Sequence, residues 1–66
     1  MCRLVLRNAR KSRRLSQEKV ARAIGFNGKQ GYSNLETGRR GTTAKKWDAL
    51  EDFFRIDQRI LRQIDT

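Results

Sequence analysis

The segment 15–38 constrains the fold more than any other part of the chain, because it places a glycine-rich turn between two short apolar stripes. The stripes have the spacing of one helix face, and they consist of Val20, Ala21 and Ile24 before the turn and of Tyr32 and Leu35 after it. Two helices that cross steeply across a tight turn need a small residue at their contact and glycine in the turn. Ala21 and Gly25 meet these needs, so the segment predicts two packed helices joined by a tight turn.

Capping signals and apolar spacing divide the rest of the chain into further short helices. The chain has no proline, so helix ends are predicted from glycines and capping residues. The first helix is expected over about Arg3–Arg14, with Leu6, Ala9 and Arg13 on one face. The remaining boundaries are predicted at Ser16, Gly25, Gly38, Thr42 or Thr43, and Asp57. No useful stretch alternates with period two, and the predicted fold class is therefore all-α, with five short helices.

A chain of 66 residues makes one domain at most, expected over residues 1–66 and near the lower size limit for a self-sufficient core. The predicted core consists of Leu15, Val20, Ile24, Tyr32, Leu35, Trp47, Leu50, Phe54 and Ile56. Trp47 is assigned to the core rather than to base stacking, because Leu50 and Phe54 follow on the same face. The chain has no His and a single cysteine, Cys2, so no internal disulfide, metal or other cofactor is expected. A partner subunit is the expected supplement to so small a core.

The positive charge of the chain is confined to its first part. Residues 1–40 contain eleven Lys and Arg against two Glu, which accounts for the whole net charge of +9, whereas residues 41–66 contain five basic and five acidic residues. A one-sided basic field favours a polyanionic partner, with nucleic acid first and an anionic membrane surface second. No apolar run approaches the roughly 18 residues needed to span a bilayer, and the charges of the first helix leave no wide apolar face. We therefore expect no membrane partner and a cytoplasmic location.

Several stretches of the chain carry a resemblance to a known family; they read ARKSRRLSQ, LSQEKVARAIG, YSNLETG and WDALEDFFRIDQRIL. Over nearly its whole length the sequence resembles the Cro/phage-repressor (XRE-type) helix-turn-helix family. The resemblance implies a lambda-repressor-like DNA-binding domain with the helix-turn-helix at helices 2 and 3. It also implies that the third helix lies in the major groove of double-stranded DNA and that the second braces it across the phosphate backbone.

The resemblance also assigns candidate contacts to DNA, residue by residue. The candidates for base edges are Lys29, Gln30, Ser33 and Asn34, where amide side chains suit adenine and lysine suits guanine. The candidates for the phosphate backbone are Arg10, Gln17, Arg39, Arg40, Lys45 and Lys46. The two lysines are included because cations at the start of the fourth helix oppose its dipole, which favours a phosphate nearby. Arg10 and Glu36 are further expected to form a structural ion pair between the first helix and the end of the third. The alternative for the base candidates and for Gln17 is an ordinary exposed polar side chain, and the alternative for Arg10 and Glu36 is two unrelated surface charges.

One departure from the family pattern lies between Gly25 and Tyr32. The intervening segment, Phe26–Gly31, is one residue longer than the usual family spacing and contains two glycines. A glycine in a helix interior costs roughly 1 kcal/mol relative to alanine. The sequence therefore predicts a longer turn and a third helix whose first turn is loose until DNA is bound.

Two functions from different classes remain open. The first is a transcriptional regulator, a Cro-like repressor that binds an inverted-repeat operator as a homodimer. Dimerisation is then expected through the C-terminal part, including Phe53, Ile60, Leu61 and Ile64. The second is an antitoxin or other protein-interaction module that uses the same fold. Neither an enzyme nor a small-molecule substrate is expected, because the chain has no His, no thiol–base pair and no glycine-rich phosphate cradle.

Overall fold

A computed structural model describes residues 2–64 of the chain. Within these residues it contains five helices: α1 (Leu4–Ser12), α2 (Gln17–Ile24), α3 (Lys29–Thr37), α4 (Ala44–Phe54) and α5 (Gln58–Leu61). The predicted all-α fold with five short helices is confirmed. The ends of the predicted domain, Met1, Asp65 and Thr66, lie outside the described residues.

The helix ends are set by capping contacts that follow the sequence. The Ser16 hydroxyl accepts a hydrogen bond from the Lys19 amide at 3.0 Å, and Thr43, rather than Thr42, caps α4 through the Lys46 amide at 3.3 Å. Asp57 accepts from the Arg59 amide at 2.8 Å at the start of α5. These side chains satisfy amides that have no partner within the first turn of a helix.

Helix α1 is shorter than the predicted range Arg3–Arg14. α1 ends at Ser12 because the chain turns at Arg13 and Arg14, and Arg14 adopts a left-handed conformation with φ of 56°. Arg13, predicted on the same face as Leu6 and Ala9, lies beyond the end of α1 and is exposed. Its guanidinium donates to the carbonyl oxygens of Ala9 and Phe54 at 2.8 and 2.7 Å. α5 is a single turn, so Ile64 lies beyond its end.

The core is formed by one apolar cluster to which all five described helices contribute. Its buried members are Leu6, Ala9, Val20, Ala21, Ile24, Tyr32, Leu35, Trp47, Leu50, Phe54 and Leu61. Two predicted core residues, Leu15 and Ile56, are only half-buried and pack on the edge of the cluster, since both lie in connections between helices. Trp47 is buried, as predicted. No helix between residues 2 and 64 is long and apolar enough to pass through a bilayer.

Candidate nucleic-acid interface

Helices α2 and α3 pack on each other more extensively than any other pair in the described chain, and the turn between them consists of Gly25–Gly28. Gly25 ends α2 in the left-handed conformation, with φ of 97°. This conformation suits glycine because it has no Cβ. The Phe26 amide then donates back to the Ala21 carbonyl oxygen at 2.8 Å, which closes the turn. The four-residue connection falls within the usual range for a helix-turn-helix.

Gly31 lies inside α3 against the Phe26 ring. A Cβ atom at Gly31 would approach Cδ1 of the Phe26 ring to 2.8 Å, so the ring occupies the space that a side chain would need. α3 begins at Lys29, so Gly31 lies in its first turn. The Phe26 ring packs over Gly31 in this first turn, and the expectation that the turn is loose until DNA is bound stays a prediction.

The outward face of α3 carries all four side chains predicted to contact bases. Tyr32, Leu35 and Glu36 point into the protein and are buried. Lys29 and Gln30 are exposed and Ser33 and Asn34 are half-buried on the other side of the helix. The structure therefore brings these four candidates together on one accessible face of α3.

Two of these side chains form a joined amide pair. The Gln30 amide nitrogen, Nε2, donates to Oδ1 of Asn34 at 3.2 Å. The bond leaves the Asn34 amide protons and the Gln30 carbonyl oxygen free for other partners. Between them the two side chains thus present donors and an acceptor, which is the pattern that an adenine edge requires in the major groove.

The predicted ion pair between Arg10 and Glu36 is present and nearly buried. The Arg10 guanidinium contacts both carboxylate oxygens of Glu36, through Nε at 2.5 Å and Nη2 at 3.2 Å. The Arg10 and Glu36 side chains are 12% and 4% exposed. Nη1 of Arg10 donates to the Leu15 carbonyl oxygen at 2.7 Å, so the pair joins α1, the start of α2 and α3. Hydrogen bonding to Glu36 raises the pKa of Arg10.

Gln17 also belongs to this buried group, which sequence reasoning did not predict. Its amide nitrogen donates to Oε1 of Glu36 at 3.1 Å. Burial by itself raises the pKa of Glu36, but the hydrogen bonds from Arg10 and Gln17 contribute to holding that pKa below its ordinary value. The neighbouring Tyr32 hydroxyl is buried without a hydrogen-bond partner in the described residues. The pKa of Tyr32 is raised, first because the hydroxyl is buried and second because the Glu36 carboxylate is close to it.

Most of the remaining backbone candidates are exposed around α3. Arg39 and Arg40 lie in the loop after α3, and Lys45 is exposed in the first turn of α4. Lys46 is half-buried because its ammonium lies 5.2 Å from the centroid of the Phe26 ring, a cation–π contact with the α2–α3 turn. On the other side of α3, Lys29 shares a cleft with Arg10 and Gln17.

Arg3 is the residue whose position sequence reasoning missed most clearly. Its charge counts toward the basic excess, yet the residue is buried at 7% exposure. Its guanidinium lies 5.3 Å from the centroid of the Trp47 ring and donates to three carbonyl oxygens, those of Leu35, Arg40 and Arg62. No local pattern distinguishes Arg3 from the exposed Arg7 one turn later, because its partners come from distant parts of the chain.

Comparison with known proteins agrees with this geometry. A family model described as Helix-turn-helix matches residues 6–57, which include the whole of α2, the turn and α3. No curated protein and no solved structure matches the chain. The match covers more than half of the sequence and includes the segment whose turn, packing and exposed face are described above. The chain therefore belongs to the XRE-type helix-turn-helix family, the family of Cro and the phage repressors, whose members bind DNA.

Proposed function

We propose that this protein is a transcriptional regulator that binds double-stranded DNA sequence-specifically. It is a Cro-like repressor that binds an inverted-repeat operator as a homodimer. The observation that carries the proposal is the composition of α3: its inner face is buried, and its outer face presents Lys29, Ser33 and the Gln30–Asn34 amide pair. Such a helix can enter the major groove without disturbing the core.

Around this helix the basic and amide side chains contact the two strands. Gln17 uses one amide proton on Glu36 and keeps the other for a phosphate. Arg39 and Arg40 supply cations in the loop that follows α3, and Lys45 and Lys46 supply cations in the first turn of α4. Arg10 acts mainly by holding Glu36 and Gln17, because its guanidinium is already engaged within the protein.

The homodimer forms through exposed apolar side chains of the charge-balanced C-terminal part. Phe53, Ile60 and Ile64 are 38%, 44% and 43% exposed. The expectation that Leu61 also contributes to this surface is wrong, because Leu61 is fully buried in the core of the folded chain. Two subunits related by a twofold axis present one α3 each to half-sites about one helical turn apart.

The test is a selection of binding sites from random double-stranded DNA, carried out with the wild type and with the Gln30→Ala/Asn34→Ala variant. We expect a palindromic motif for the wild type and loss of most of its discrimination in the variant, since a good bidentate base contact contributes about 1–3 kcal/mol. The matched control is Glu18→Ala/Arg22→Ala, which removes another exposed, hydrogen-bonded pair four residues apart, on α2. The control should select the wild-type motif.

Two outcomes decide against the proposal. Unchanged discrimination in the Gln30→Ala/Asn34→Ala variant would remove α3 as the element that contacts bases. A selection that enriches no motif with the wild type would instead favour the protein-interaction module as the function of this fold.

A further inference from the structure

We propose that Arg3 is a positioning residue for DNA binding, which holds the arginine loop, defined as Arg39–Gly41, against the end of α3. The inference rests on the proposed function, because it takes Arg39 and Arg40 as contacts to phosphates. The inference goes beyond the proposed function because it assigns the position of the loop to a buried residue near the N-terminal end of the chain.

The first support is that one guanidinium nitrogen joins α3 to the loop. Nη1 of Arg3 donates to the Leu35 carbonyl oxygen at 2.8 Å and to the Arg40 carbonyl oxygen at 2.9 Å. Leu35 lies in the last turn of α3, and Arg40 lies three residues beyond the helix. The two protons of Nη1 therefore bridge the recognition helix and the loop directly.

The second support is that Arg3 itself is fixed from several sides. Its backbone amide donates to the Glu36 carbonyl oxygen at 2.8 Å. Its Nε donates to the Arg62 carbonyl oxygen at 3.1 Å, and its guanidinium lies over the Trp47 ring. The planar guanidinium directs its donors along several fixed directions, which a lysine ammonium cannot reproduce.

The loop has few other ties to α3 that could replace this one. The Arg40 amide donates to the Asn34 carbonyl oxygen at 3.3 Å, longer than either bond made by Nη1. The Arg39 and Arg40 side chains are exposed, and the position of a Cβ at Gly41 is open. Without Arg3 the loop therefore keeps one longer hydrogen bond to the helix, and its two cations lose their fixed position relative to the Asn34 side of α3.

The experiment is a mutant cycle read out by the salt dependence of DNA binding. Arg3→Lys keeps the positive charge and removes the planar set of guanidinium donors. Arg39→Ala/Arg40→Ala removes the two cations that these donors are proposed to position. Affinity for a mixed-sequence 20-base-pair duplex is measured over a range of salt concentrations for the wild type, both variants and their combination. Arg14→Lys is the matched control, since Arg14 is an exposed arginine at the other end of α1.

We expect Arg3→Lys to weaken binding about tenfold and to lower the slope of log affinity against log salt by about 1, the value for one lost phosphate contact. In the Arg39→Ala/Arg40→Ala background the same substitution should change affinity less than about twofold and leave the slope unaltered. A purely structural effect of Arg3 predicts equal losses in both backgrounds, and that result would overturn the proposal. Arg14→Lys should match the wild type.

Folding is checked by circular dichroism at the temperature of the binding assay. If Arg3→Lys is unfolded, Arg3→Gln, which keeps one donor group, takes its place in the cycle. Unfolding of both variants would also overturn the proposal, because Arg3 would then support the whole fold rather than the loop. A wild type that binds no duplex in a salt-dependent manner overturns the proposed function, whereas salt-dependent binding with equal losses in both backgrounds overturns only the role of Arg3.

Discussion

At the scale of single residues, Glu36 is the group on which the interface most depends. It is a nearly buried carboxylate that accepts from Arg10 and Gln17, so it links the inner side of α3 to α1 and to the first turn of α2. Its removal leaves the Arg10 charge nearly buried without a counter-ion. Breaking such a pair from one side costs much more than an exposed pair contributes.

We predict that Glu36→Gln lowers the free energy of unfolding by on the order of 3 kcal/mol at pH 7. The pKa of Glu36 in the folded protein is below its ordinary value, so the carboxylate contributes stability above the unfolded pKa of about 4.3. That contribution is lost as the pH falls through the lower, folded pKa. The difference between variant and wild type should therefore be constant near neutrality and shrink in acid, as measured by urea unfolding between pH 7 and pH 2.

The matched control is Glu18→Gln, which breaks the exposed ion pair with Arg22 on α2. This pair lies at the surface, where such contacts contribute a few tenths of a kcal/mol. Equal losses for Glu18→Gln and Glu36→Gln, or a Glu36→Gln loss that grows in acid, would contradict the assigned role of the buried carboxylate.

At the scale of elements, the position of α3 depends on the close packing of Phe26 on Gly31. We predict that Gly31→Ala lowers the free energy of unfolding by about 1 kcal/mol, although alanine is the better helix former. The gain of roughly 1 kcal/mol in helix propensity is offset by the displacement of the Phe26 ring, since overpacking a filled site costs typically 1–3 kcal/mol.

A second substitution tests the physical cause. In a Phe26→Leu background the space above residue 31 is less filled, so Gly31→Ala should there become stabilising. Thermal unfolding of the four proteins of this cycle measures the change of sign. A Gly31→Ala effect with the same sign and size in both backgrounds would show that Phe26 does not require glycine at this position.

The elements also show which parts of the structure were accessible from the sequence. Helix ends at Ser16, Gly25 and Gly38 were predictable because a cap acts within one turn of its own chain. The inward positions of Tyr32 and Leu35 on α3 followed from periodicity, whereas the candidates for base contact were implied by the family resemblance. The burial of Arg3 and Leu61 was not predictable, because each is decided by packing against segments distant in sequence. The bond from Gln17 to Glu36 likewise depends on how α2 and α3 meet.

At the scale of the whole molecule, the exposed apolar side chains near the C terminus are the expected dimer surface. We predict that Ile60→Lys raises the dimer dissociation constant at least tenfold, because it places a charge among apolar contacts. The midpoint of thermal unfolding, extrapolated to protein concentrations at which the chain is monomeric, should change little. Ile60 is 44% exposed and contributes little to the core. Ala23→Lys adds the same charge at an exposed position of α2 and should leave the constant unchanged in sedimentation equilibrium.

The charge of the molecule supports a last prediction, because the excess of +9 is not uniformly available to DNA. The guanidinium groups of Arg3, which is buried, and of Arg10, which is nearly buried, are engaged in internal hydrogen bonds. Arg39 and Arg59 are both exposed, the first beside α3 and the second on α5 next to Asp57. Each loss of a phosphate contact lowers the slope of log affinity against log salt by about 0.9. We therefore expect Arg39→Gln to lower this slope by about 1 and Arg59→Gln, which removes the same net charge, to leave it unaltered. Equal changes in the two variants would mean that DNA responds to the total charge, and the assignment of the α3 side as the binding face would then be wrong.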